Sequence, residues 1–202
     1  QLSPVLLGTD RGKREKAWRL AAERRLKDRE KINKIWQKIL EIRIQIANNA
    51  GFDNYRSWRW EYLQRFDYTP DDCLDFHSGI EKVVKPFVEK LMKTRKEQLG
   101  LDVLKPWDLS VDTLNRDPLE PFKDASELEE KCHNIFKAVD EDLGNHFNIM
   151  RKQKLLDLAN RKGKAPGGYC TEYYHRRLPF IFMNAVGTHS DVQTMLHEGG
   201  HA

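Results

Sequence analysis

Residues 190–202 read Ser190-Asp191-Val192-Gln193-Thr194-Met195-Leu196-His197-Glu198-Gly199-Gly200-His201-Ala202. Ser190 followed by Gln193 forms a capping box, the usual opening of a helix, and Met195 and Leu196 supply an apolar side to bury. Residues four apart on a helix share one face, so His197 and His201 can present two imidazoles to a single metal ion. The intervening Glu198 stands beside that ion, and H-E-x-x-H on a helix is the pattern of a zinc site with a glutamate base. Gly199 and Gly200 fit the helix poorly, since each costs about 1 kcal/mol relative to alanine. Either the helix ends at Gly199 and the motif is a coincidence, or a backbone passes too close for a side chain.

The chain just upstream has the texture of strand and turn. Residues 178–186 form an apolar run bounded by Pro179 and Gly187, and a proline near the start of a strand predicts an edge position. Residues 161–166 are basic and turn-like, with Gly167 and Gly168 giving a flexible bend. The expected organisation is therefore a helical part over residues 1–160 and a strand region leading into the metal-motif helix over residues 161–202.

The helical part shows 3.6-residue periodicity. An apolar stripe through Ala22, Leu26, Ile32, Ile35, Trp36, Ile39, Ile42 and Ile46 predicts helix over residues 9–49, with a break near 27–31, packed on a globular body. A shorter helix over residues 54–65 carries Tyr55, Trp58, Trp60 and Tyr62, expected in the core. Thr69, Pro70, Asp71 and Asp72 make a strong helix start, Gly100 closes that helix, and Pro86 inside it predicts a kink near residues 83–85. Residues 101–122 read as a long irregular crossing anchored by Trp107 and Asp108. Ser126 with Glu129 predicts the next helix, ending near Gly144, and a further stretch of helix is expected over residues 148–160.

Composition limits the alternatives. The chain carries 35 basic and 31 acidic residues, a net charge of +4, largely interleaved, which describes a solvated surface and not a nucleic-acid stripe. The basic cluster over residues 11–16 is the local exception. No apolar run reaches the roughly 18 residues needed to span a bilayer. Three widely spaced cysteines, Cys73, Cys132 and Cys170, do not make a disulfide framework and fit a reducing, cytoplasmic setting. The chain begins at Gln1 and ends at Ala202 inside a motif, so both ends read as cuts. A catalytic zinc normally takes three protein ligands; the motif supplies two, so a third is expected beyond Ala202, and the 202 residues alone are expected to bind zinc weakly and to lack hydrolytic activity.

Several stretches resemble the oligoendopeptidase F and thimet-oligopeptidase family of zinc metallopeptidases: GKAPGGYC at 163–170, LPFIFMNAVG at 178–187, DVQTMLHEGGHA at 191–202, LKPWDL at 104–109 and AGFDNY at 50–55. The resemblance implies a mainly α fold, a multi-helix body with a small β-sheet next to the metal-motif helix. It also implies a Zn2+ cofactor held by His197 and His201, with Glu198 as general base and a later glutamate as third ligand. In such enzymes the strand before the helix lines the cleft and pairs with the substrate backbone. Here that strand would be residues 179–186, with Phe182, Asn184 and Ala185 as contacts and Gly168 and Tyr169 as a second wall. The implied activity is endopeptidase hydrolysis of short peptides, with neither nucleic acid nor membrane as partner. A zincin carboxypeptidase and a noncatalytic helical interaction module are the alternatives.

Overall fold

A computed structural model describes residues 2–202. The chain divides into two compact units, one running up to Ala17 and resuming over Trp107–Ala202, the other Trp18–Pro106. Among the described residues the first elements are helices α1 (Ser3–Leu7), α2 (Arg11–Leu26) and α3 (Arg29–Asn49). The predicted break therefore falls at Lys27 and Asp28.

In the unit Trp18–Pro106, α3 leads through Gly51, at φ 78°, to α4 (Tyr55–Tyr62), capped by Asn54, whose side chain accepts the Ser57 N–H at 2.9 Å. The Thr69 cap is built as expected: Thr69 N–H donates to Asp72 at 2.7 Å while Asp72 N–H donates to the Thr69 hydroxyl at 3.3 Å, opening α5 (Pro70–Gly79). The disturbance expected near residues 83–85 takes the form of a widened turn just before Pro86. A π turn over Ile80–Val84 precedes α6 (Lys85–Gln98), with the Lys85 N–H reaching Ile80 O five residues back. Widening the turn in this way accommodates a residue that has no N–H to give.

The apolar stripe of α3 departs from expectation. Ile32, Ile35, Trp36 and Ile42 are 59%, 58%, 51% and 54% exposed, and Ala47 alone on this helix is buried. Within α4, Tyr55, Trp58 and Trp60 are half-buried but Tyr62 is exposed.

In the other unit Arg14 alone of the basic residues at 11–16 is buried, while Arg11, Lys13 and Lys16 stay exposed. Arg14 is 3% exposed and donates to Trp107 O at 2.9 Å, Gly8 O at 2.9 Å and Thr9 O at 2.8 Å. Arg11 grips the fully buried Asp108 carboxylate with two bonds of 2.9 Å. Trp107 and Asp108 thus anchor the irregular crossing, as expected, through buried charge.

Helix α7 (Ala125–Val139) starts two residues earlier than Ser126 would place its cap: Asp124 accepts the Glu127 N–H at 2.9 Å, and Glu127 accepts the Lys123 N–H at 2.7 Å. It ends at Val139, because Asp140 adopts an extended conformation and caps the next helix, α8 (Glu141–Lys152). Gly144 is therefore not a terminator. It lies inside α8, where a Cβ would fall 2.7 Å from Lys137 Cβ and 2.8 Å from Lys137 Cα, so α7 and α8 meet there almost backbone to backbone.

The helix expected over 148–160 stops at Lys152; Lys154, at φ 56°, turns the chain, and Leu156–Ala159 forms strand β1. Strands β2 (Tyr169–Tyr173) and β3 (Leu178–Ala185) complete a sheet of order β1-β3-β2, so the strand region begins before residue 161. β3 is central, parallel to β1 (Leu156 opposite Ile181) and antiparallel to β2 (Tyr169 opposite Phe182). The expectation of an edge position for residues 178–186 is thereby corrected. Pro179 is tolerated for a local reason: the Ile181 N–H points toward β1, bonding Leu155 O at 3.0 Å, and Pro179 two residues earlier faces the same side, beyond where β1 begins. The core joins α7, α8, the sheet and the last helix through Leu128, Cys132, Phe147, Met150, Ile181, Met183 and Met195.

Candidate metal centre

The last helix, α9 (His189–His201), starts two residues before the expected box. Thr188 is its cap, and one oxygen of the buried Asp191 accepts Val186 N–H at 2.9 Å, Thr188 N–H at 2.8 Å and the Thr188 hydroxyl at 2.9 Å. Met195, fully buried, holds the helix on the core. The helix continues through both glycines to His201, so the possibility that it ends at Gly199 does not hold.

The two imidazoles converge. Nε2 of His197 and Nε2 of His201 are 3.2 Å apart, with the rings crossed at 88°. Two nitrogens each about 2.05 Å from a tetrahedral ion are about 3.3 Å apart, so the pair already has the spacing of two ligands on one metal. Both histidines are exposed and Glu198 between them is half-buried. Among the described residues no three His, Cys, Asp or Glu side chains are grouped to hold a metal.

Strand β2 runs beside this helix at a matching pace. A Cβ on Gly168 would lie 3.3 Å from Thr194 Cγ2. Two residues further on, burial together with Glu198 and Glu172 pushes the Cys170 thiol up from its ordinary value. Four helical residues advance about 6 Å and two strand residues about 6.8 Å, which keeps strand and helix abreast from Thr194 to Glu198.

The turn that delivers β2 is pinned from two sides. The Lys164 ammonium, on a side chain 1% exposed, donates to Asp157 O at 2.9 Å, Asp157 Oδ1 at 3.0 Å and Ala159 O at 2.9 Å, and lies 4.4 Å from the centre of the Phe182 ring. Asn184 is 6% exposed and its amide nitrogen donates to Ala165 O at 2.8 Å and Gly167 O at 3.0 Å. Tyr169 stacks on Phe182, with ring centres 5.1 Å apart and planes at 12°.

The structure therefore brings His197, Glu198 and His201 together on one helix and sets Gly168 beside Thr194 one turn earlier, whereas Tyr169 stacks on Phe182 on the sheet face opposite the one that Cys170 and Ile181 turn to the core. Asn184 acts on the turn, and Ala185 pairs with Ala159 near the start of α9, a helix length from His201. Because β3 is flanked on both sides, the outer strand next to the helix is β2. Lys164, Asp157 and Cys170 escaped the sequence reading: a basic turn looks like a solvated one until the strand that buries its lysine is in place.

The profile of peptidase family M3 matches residues 6–202. The chain belongs to peptidase family M3. Curated relatives include the group B oligopeptidase PepB of Streptococcus agalactiae serotype III, 25% identical over 175 residues that cover 86% of this chain and 28% of the relative. Oligopeptidase A of Haemophilus influenzae is 24% identical over 220 residues, covering 84% and 32%. Among solved structures, PZ peptidase A with an inhibitor superimposes with a TM-score of 0.92 at 31% identity, over 100% of this chain and 36% of that one. A Bacillus anthracis strain Ames protein named as an oligoendopeptidase F gives 0.91 at 28% identity, over 100% and 37%. The chain thus spans roughly a third of the length of these M3 proteins.

Proposed function

We propose that this chain carries part of the catalytic centre of a zinc-dependent oligopeptidase that hydrolyses internal bonds of short peptides. The observation that carries the reading is the 3.2 Å convergence of the His197 and His201 nitrogens with Glu198 between them in sequence. Their donors suit zinc: neutral imidazoles are common ligands, and the spacing matches a tetrahedral ion. The third ligand assigned in this reading is a glutamate outside residues 1–202.

A peptide carbonyl is a poor electrophile and neutral water a poor nucleophile. Zinc, when bound, supplies a Lewis acid for the carbonyl and lowers the pKa of a coordinated water toward about 7. The chain's own contribution is proton transfer and alignment. Glu198 accepts the proton released as water adds to the carbonyl carbon, then delivers it to the departing amine nitrogen as the C–N bond breaks. The outer edge of β2 pairs with the extended substrate backbone, which explains tolerance of many side chains, and Gly168 lets the chain enter that strand close against Thr194 of α9. Tyr169, supported by Phe182, forms the wall, while Asn184 and Ala185 hold the frame behind it. The reading places the enzyme in the cytoplasm, in keeping with three free cysteines; among the described residues no helix is long and apolar enough to cross a membrane.

The test uses the full-length chain and a peptide blocked at both ends. Glu198→Gln is expected to lower kcat about 10³-fold or more while stoichiometric zinc binding, followed by calorimetry, persists. Undiminished hydrolysis by that variant overturns the reading in favour of a noncatalytic helical module. Cleavage restricted to substrates with a free C-terminal carboxylate makes the enzyme a carboxypeptidase.

A further inference from the structure

Gly199 is the position in the metal motif where a side chain would strike another helix. A Cβ built there falls 2.5 Å from Cζ and 2.9 Å from Cε2 of Phe136 on α7, whereas one on Gly200 meets nothing within 4 Å. The close neighbour is thus an aromatic ring and not the backbone that the sequence suggested. Successive residues of an α-helix are about 100° apart, so with His197 at the origin, His201 stands about 40° away and Gly199 about 200° away. Phe136 therefore presses on the side of α9 opposite the two imidazoles.

The ring is itself backed. Phe136 packs on Phe147 of α8, ring centres 5.0 Å apart, and Phe147 is 3% exposed. The next residue of α7, Lys137, makes the near-backbone contact with Gly144 of α8. Beside the ring lies a cavity of about 480 Å³, lined by Phe136, Phe147, Leu178, Pro179 and Gly200 among others, so a side chain at 199 could push the ring aside into free space. With the ring displaced or absent, α9 loses the contact that fixes its depth against α7.

We propose that Phe136 is a positioning residue for the metal centre. Its ring fills the place of the side chain missing at Gly199 and so sets how far α9 stands from α7, which carries His197, Glu198 and His201 as one body relative to the β2 edge. The assignment rests on those histidines being metal ligands. Its physical content is complementarity of volume: bulk is required once, at 136 or at 199.

The experiment is a double-mutant cycle in the full-length chain, with Phe136→Ala, Gly199→Leu and the pair, read by kcat, KM and zinc affinity from chelator competition. Each single variant is expected to lose about tenfold in kcat and in zinc affinity, with KM changed by less than about threefold. The double variant is expected to recover about tenfold over the product of the two losses. Where Gly199→Leu does not fold, Gly199→Ala with Phe136→Leu forms the milder cycle, judged by the same criterion. Losses that simply multiply, or variants that change only thermal stability at unaltered zinc affinity, overturn the positioning role. A wild-type chain that binds no zinc overturns the metal-centre reading and this role together, whereas tight wild-type binding with multiplying losses overturns this role alone.

Discussion

Lys164 and Asp157 are joined twice, the ammonium lying 2.9 Å from the Asp157 carbonyl and 3.0 Å from its carboxylate, with a third bond to Ala159 O. Every proton of the ammonium is used, and the remaining exposure of its face is taken by the Phe182 ring. A buried cation is tolerable on these terms. Lys164→Met keeps the stem but leaves strand carbonyls without donors, and is expected to lower stability by roughly 2–4 kcal/mol. Urea denaturation measures it; an unchanged midpoint contradicts the account.

The same cluster sets an acid limit. Arg161, through its hydrogen bonds, and then Lys164 hold the Asp157 carboxyl down at about 2, below its ordinary 3.8. A carboxyl depressed by folding contributes stability that is complete above its unfolded pKa and is lost as pH falls through the folded value. The loss should therefore run from about pH 4 to about pH 2, amounting to roughly 1–2 kcal/mol after solvent screening. Thermal melts across that window should fall less steeply for Asp157→Asn than for the wild type, from a lower starting stability. Parallel curves would show that Asp157 gains nothing on folding.

Asn184 holds the turn at Ala165 and Gly167 from below. Asn184→Ala in the full-length chain is expected to raise KM several-fold, on the order of threefold to tenfold, with little effect on kcat. Hydrogen exchange should show faster exchange over residues 165–169. Unchanged KM separates the turn from substrate binding.

Asp108 is fully buried between Arg11 and Arg14. Asp108→Asn leaves Arg14 buried without its counter-charge and is expected to cost about 3–5 kcal/mol. Circular dichroism during guanidinium titration reads this directly; a loss under about 1 kcal/mol would class the pair with surface ion pairs.

Much of the helical part was legible because its signals are local. Thr69 with Asp72, and Gly100, act on backbone groups within a few residues, and the structure uses each near where the pattern put it. Helix starts slipped where two acceptors competed within two residues: Asp124 displaced Ser126, and Thr188 displaced Ser190. Leu156–Ala159 read as helix because its reason to be a strand is Ile181 and its neighbours, some 25 residues away along the chain. The same non-local pairing moved β3 from the edge to the centre.

Sequence alone determined the chemistry of the centre: two imidazoles and a carboxylate at helical spacing share a face because the α-helix repeats every 3.6 residues, whatever surrounds it. Only the tertiary structure decided what stands around that face. It made β2 the strand beside Glu198, turned Lys164 from a surface charge into a buried pin, gave the Asn184 amide to the turn, and set Phe136 behind Gly199. Those relations depend on which segments pack together, and packing joins residues that no local period connects.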